Sequence, residues 1–258
     1  MTGTIGNITG IPRENLGSLN KTGSVFVPNH IFGTFGGNVP VQKDTIPLDR
    51  LLASHLTGYD DHGNEEYSLF NLDKIPHYYY LDKMVKVLGE IFSSDVQNES
   101  DIYERLKEKS WADNEFNNIN NMFSEIFNDV DPNARPDDTH SPNTFKKTFF
   151  QMIENSFNPR YPIFVDNGDD DGEYEIHDGK HRAVIKKFLH DLNNKYANKE
   201  DIEKPLVIRS ILNNLRESND SLPVVKMGRA RSHITKAKEK SNLTLVKVLH
   251  PSNTSSEL

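Results

Sequence analysis

The sequence predicts an α/β protein, a small mixed sheet with flanking helices and a helical insertion, and three stretches carry that reading. Tyr161-Pro-Ile-Phe-Val-Asp166 and Glu173-Tyr-Glu-Ile-His177 are short runs rich in β-branched and aromatic residues, separated by the acidic turn Gly168-Asp-Asp-Asp-Gly172. That is the pattern of a β-hairpin. A helix over Ala183–Tyr196 follows at once, with Val184, Ile185, Phe188, Leu189 and Leu192 at helical spacing. Upstream, residues 75–157 repeat the same spacing several times over, whereas Leu222-Pro-Val-Val-Lys226 and Leu243–Leu249 read as further strands.

Taken in order, residues 1–38 are rich in Gly, Asn, Thr and Ser and are expected to form a flexible tail. The same composition suits an export signal for a bacterial secretion system, but a disordered end explains it as well. The cluster Gly33–Asn38 lacks the Gly-Lys-Ser/Thr ending of a phosphate loop. Residues 39–56 read as an extended segment followed by a helical turn entered through Pro47. Residues 57–157 are expected to be mainly helical: a helix at Ile75–Phe92, a short charged one at Asp101–Trp111, and one at Asn114–Phe127 with Phe116, Ile119, Met122, Phe123, Ile126 and Phe127 on one stripe. A fourth begins with Ser141 as cap and Pro142 at its first position, and buries Phe145, Phe149, Met152 and Ile153. These aromatic stripes read as core rather than as a ligand box. A last helix is expected over Asp201–Arg216, and residues 250–258 as a disordered C-terminal tail.

Composition narrows the function. The 258 residues are enough for a hydrophobic core without staples. No apolar run reaches the roughly 20 residues that cross a bilayer, and no secretory signal is visible, so the expected setting is cytoplasmic and without a membrane partner. There is no cysteine, which removes thiol nucleophiles, thiolate metal sites and sulfur redox cycles. Thirty basic residues stand against 38 acidic ones, a net charge of -8, and that disfavours nonspecific attraction to DNA. The exception is a basic stretch after the last strand, with Lys226, Arg229, Arg231, Lys236, Lys238 and Lys240, the one candidate nucleic-acid patch. It has no interleaved aromatics, so a solvated basic segment explains it too.

The candidate site is Asp178-Gly-Lys-His-Arg182. Strand, glycine turn, basic residues and helix follow one another here. A helix start offers unpaired N–H groups and the positive end of the dipole, and a glycine lets an anion come close. Gly179, Lys180, His181 and Arg182 thus suggest a phosphate cradle, with Asp178 placed to hold a magnesium ion beside the phosphates. A plain helix start, with Asp178 as its cap and the basic residues solvated, explains the turn equally well. His62, His77, His140 and His177 show no close ligand spacing and are read as structural or surface residues, with His177 on the opposite side of its strand from Asp178. Asp169-Asp170-Asp171 lacks the spaced oxygens of a calcium loop.

Pro162-Ile-Phe-Val165 and Tyr174-Glu-Ile-His-Asp-Gly-Lys-His-Arg182-Ala183 resemble the ParB/sulfiredoxin fold, with its Pro-Ile-x-Val strand, Tyr-x-Ile-x-Asp-Gly strand end and Gly-x-His-Arg turn. The resemblance covers residues 39–56 and 158–249 as the core, with 57–157 as insertion. It implies a nucleotide site: ParB binds and hydrolyses CTP, sulfiredoxin uses ATP with magnesium, and a free-serine kinase on the fold uses ADP. Phosphates would sit at Gly179, Lys180, His181 and Arg182, with Asp178, His181 and Arg182 catalytic. Lys180 occupies the slot of the sulfiredoxin cysteine, so sulfinic acid reduction is excluded. No helix-turn-helix pattern follows, which argues against a partition protein. The expected function is phosphoryl transfer or nucleotide hydrolysis. The alternatives are a DNA-cleaving ParB-like nuclease and a non-catalytic module that keeps an anion pocket and meets a protein partner through the helical insertion. At this level Arg182→Ala is expected to abolish nucleotide binding and to leave the melting temperature nearly unchanged.

Overall fold

The computed structural model of the chain describes residues 3–7, 40–93, 101–128, 141–157, 162–166 and 172–227. The strands are β1 (Gly3–Asn7), β2 (Pro40–Pro47), β3 (Leu51–Tyr59), β4 (Glu65–Asn71), β5 (Ile163–Val165), β6 (Tyr174–Asp178) and β7 (Ser221–Met227). They form one mixed sheet in the order β1-β2-β7-β5-β6-β3-β4. β5 and β6 are the antiparallel hairpin that the sequence predicts, and they sit at the centre, with β7 parallel to β5 and β3 parallel to β6. Pairing is offset in the hairpin, where Phe164 faces Asp178 but Val165 faces Ile176, so His177 is the extra residue of a bulge.

Two departures from the sequence reading concern the strands. Gly3–Asn7, expected as part of a tail, pairs with β2 as an edge strand; residues 8–39 lie outside the described residues. After the turn Leu48–Arg50, entered through Pro47 as expected, the chain does not pass directly into helices. It makes the hairpin of β3 and β4, closed by Gly63 at a φ of 81° and by Asp60, whose carboxylate accepts from the His62 and Asn64 amides at 2.8 Å. The β4 sequence hides this because Ser68 takes a buried place while Leu69 is only half-buried, which erases the alternation.

The helices are α1 (Pro76–Phe92), α2 (Ile102–Glu108), α3 (Asn117–Met122), α4 (Ser124–Asn128), α5 (Pro142–Asn155), α6 (Lys180–Tyr196) and α7 (Leu206–Asn214). Helix α5 starts as its sequence announces, with the Ser141 hydroxyl accepting from the Thr144 amide at 3.1 Å. The expected helix over 114–127 is broken into a 3₁₀ turn, α3 and α4 within an Asn-rich run, a residue type with low helix propensity, and Met122 is exposed rather than on the stripe. Pro205, without an N–H, separates the 3₁₀ turn Asp201–Glu203 from α7, where one helix was expected. The expected strand Leu243–Leu249 and the linker 129–140 lie outside the described residues.

All longer helices pack on one face of the sheet. One cluster joins Ile46, Leu51, Ala53, Phe70, Ile163, Val165, Ile176, Leu222 and Val224 of the strands to Leu81, Met84, Phe149, Val184, Phe188 and Ile211 of the helices and to Trp111, which follows α2. The other face is buried as well: Leu52, Phe164 and Val225 are buried yet stand outside that cluster. Leu52 lies opposite Glu175 and Phe164 opposite Val225, so a carboxylate sits among apolar neighbours on this second face.

Candidate functional site

The turn between β6 and α6 is built around Gly179, which caps the helix in the left-handed region at a φ of 92°. A Cβ there would lie 2.9 Å from the Arg182 guanidinium and 3.1 Å from the Ile163 side chain. Glycine is therefore required by both backbone conformation and space. The helix begins at Lys180, three residues before the Ala183 expected from periodicity, because Lys180, His181 and Arg182 are polar and hide the start of the apolar stripe. Gly179, not Asp178, is the cap.

The three basic side chains leave the turn in different directions. Lys180 Nζ donates to the Ser54 carbonyl on β3 at 3.5 Å. The His181 ring packs 4.7 Å from the His77 ring, at the start of α1, and meets Phe145 of α5 edge-on at 5.2 Å. Arg182 Nη2 donates to the Pro162 carbonyl at 3.2 Å and lies 3.5 Å from Asp178 Oδ2, with its guanidinium over the Phe157 ring at 5.7 Å. Burial pulls the Arg182 pKa down and Asp178 pushes it back up. Asp178 and Arg182 thus brace the turn. An Arg182→Ala protein with an unchanged melting temperature is no longer expected, since that change would strip the Pro162 carbonyl and Asp178 of a donor and remove packing over Phe157.

The sequence reads His77 as structural or surface, and it is buried, 3 % exposed, with its ring beside that of His181. Only tertiary packing brings these two rings together. His177, which the sequence reads in the same way, joins Asp166 and Glu175 in a group whose ligand-type atoms all lie within 4.8 Å of one another. A signal for this group was present in the sequence: Glu175 and His177 are two apart on one strand, and Asp166 directly follows its hairpin partner. Desolvation, with Asp166 adding repulsion, pushes the Glu175 carboxyl up to about 7. Desolvation lowers the pKa of His177, with Asp166 opposing, and so favours the neutral imidazole.

The basic patch is described only at its first member. Lys226 is bound to Asp44 at 2.5 Å and to the Tyr174 hydroxyl at 3.0 Å, and it sits 4.6 Å over the Tyr174 ring. It braces β2, β7 and β6. Arg229, Arg231, Lys236, Lys238 and Lys240 lie outside the described residues, as do His140 and Asp169–Asp171.

Comparison of the chain with protein-family models, with curated proteins and with solved structures finds no match. Among the described residues no helix is long and apolar enough to cross a membrane.

Proposed function

We propose that the chain is a nucleotide-binding enzyme of ParB/sulfiredoxin type that carries out phosphoryl transfer or nucleotide hydrolysis at the Asp178–Arg182 turn. The observation that supports this most is Gly179 as a left-handed cap at the head of α6, a 17-residue helix whose first turn carries Lys180, His181 and Arg182. The glycine admits an anion to the first-turn amides, and the long helix adds its dipole. In this reading the amides around Gly179 cradle the phosphates, and Lys180 swings from the Ser54 carbonyl onto them. Arg182 holds the turn and adds positive charge, while His181, oriented by His77 and Phe145, exchanges a proton. A magnesium ion fits beside the partly exposed carboxylate of Asp178, where it would neutralise phosphate charge.

A second reading, a binding module that keeps the anion pocket without turnover, is favoured by the divergence of Lys180, His181 and Arg182 toward three separate partners. The experiment that separates the two is calorimetric titration with ATP, CTP, GTP and ADP, with and without magnesium, followed by an assay for released phosphate. Wild type should bind one base at micromolar concentration and turn it over, and Lys180→Ala should weaken binding at least about tenfold with little change in melting temperature. Binding without turnover selects the module. Absence of binding to all four nucleotides overturns both readings.

A further inference from the structure

We infer that Asp166, Glu175 and His177 form a site for one divalent cation of the zinc, manganese and iron(II) class, clamping the β5–β6 hairpin directly before the Gly179 turn. The inference uses different residues from the proposed nucleotide site and does not rest on it.

The first ground is placement. Glu175 and His177 are carried on β6 and Asp166 follows β5, and their ligand-type atoms lie within 4.8 Å of one another. Three donors held 2.0–2.2 Å from one ion stand mostly about 3–4 Å apart, so side-chain shifts of up to about 1 Å close the set. The backbone beneath them is fixed. The Asp166 amide donates to the Glu175 carbonyl at 3.1 Å, and the Glu175 amide donates to Asp166 Oδ1 at 3.1 Å, which aims the Asp166 carboxylate along the strand toward its neighbour. The β6 bulge at His177 re-aims that side chain, a recurrent use of bulges beside sites.

The second ground is Glu175 itself. It is 5 % exposed, and its carboxylate has neither a hydrogen-bond donor nor an ion-pair partner among the described residues. Its register neighbour across β3 is Leu52, and Phe164 and Val225 are buried on the same face. A carboxylate left so in an apolar setting is costly, and a second carboxylate nearby makes it costlier. A dication held by all three groups is a compensation that fits.

The donor set names the class of ion. Two carboxylates and one imidazole, in a chain without cysteine, disfavour soft ions. One nitrogen donor sets the site apart from the all-oxygen cages of calcium and magnesium. Three protein ligands leave positions for water, so the site is open rather than closed.

Titration of the chelator-treated full chain with cobalt(II), read by visible absorption and competed with zinc, tests this. Wild type should bind one equivalent, with zinc displacing it. Glu175→Gln and His177→Gln should each weaken cobalt binding at least about tenfold while keeping the far-UV circular dichroism of wild type. Zinc should raise the melting temperature of wild type and not that of Glu175→Gln, which in chelator melts no lower than wild type because it no longer buries a charge. Lys180→Ala should bind cobalt as wild type does, so failure at the nucleotide site and failure here are told apart. Absence of stoichiometric binding, or binding that neither Glu175→Gln nor His177→Gln weakens, overturns the inference.

Discussion

Gly179 is the residue on which the turn depends, for two separate reasons. Its φ of 92° is strained for any side chain, and an added Cβ would press on Arg182 and on Ile163. Gly179→Ala is therefore expected to lose about 1–2 kcal/mol from backbone strain alone. A urea melt should show a lower midpoint with an unchanged slope; an unchanged midpoint would mean that the left-handed cap is not needed. This glycine was legible in the sequence as a turn between strand and helix. The fates of Lys180, His181 and Arg182 were not, because the partners of each, Ser54, His77 with Phe145, and Pro162, come from distant parts of the chain. Lys226 gives the same lesson in reverse. A basic residue at the start of a basic stretch read as surface charge, but Asp44 and Tyr174 from two neighbouring strands claim it.

At the scale of an element, α6 is the instructive helix. Its apolar stripe predicts the face that packs on α1 and α5, and Ala183, Val184, Ile185, Phe188, Leu189 and Leu192 are buried as periodicity requires. Lys186 breaks the pattern: it is 2 % exposed, with its ammonium donating to the Glu217 carbonyl at 3.2 Å. Burial holds its pKa below the ordinary 10.5, with Glu217 opposing. The sign follows from linkage. A lysine whose folded pKa is lowered costs stability while it is charged, and that cost fades as pH rises through the folded value toward 10.5. Lys186→Met, similar in length and without charge, is expected to be at least as stable as wild type at pH 7 in a urea melt. Its advantage should shrink as the pH is raised toward 10.5, and a large loss of stability would show that the Glu217 hydrogen bond outweighs the desolvation. Elsewhere, element boundaries moved where local chemistry competed with periodicity: at Pro205, at the Asn-rich run before Met122, and in β4 where Ser68 replaces an apolar residue. Ser68 is tolerated there because its hydroxyl meets that of Thr57 at 3.3 Å on β3.

For the whole molecule, the sequence suggested a sheet core interrupted by a helical block, yet one cluster of buried side chains runs through both. Trp111, the one tryptophan of the chain, is fully buried in the helical block, against Tyr80 and Phe149, and Phe149 in turn meets Phe188 of α6. Unfolding followed by Trp111 fluorescence and by far-UV circular dichroism should therefore give coincident transitions. Two separated transitions would show that the block folds on its own. What the sequence determined by itself was local: the mixed α/β class, the central hairpin, the capped start of α5, the buried stripes of the helices and the glycine turn, since periodicity, caps and turn residues act over a few neighbouring positions. What only the tertiary structure decided was which residues meet. The second buried face that isolates Glu175, the union of Asp166 with His177, and the pairing of His77 with His181 all depend on strand register and helix docking, and no spacing along the chain encodes a contact made across the sheet.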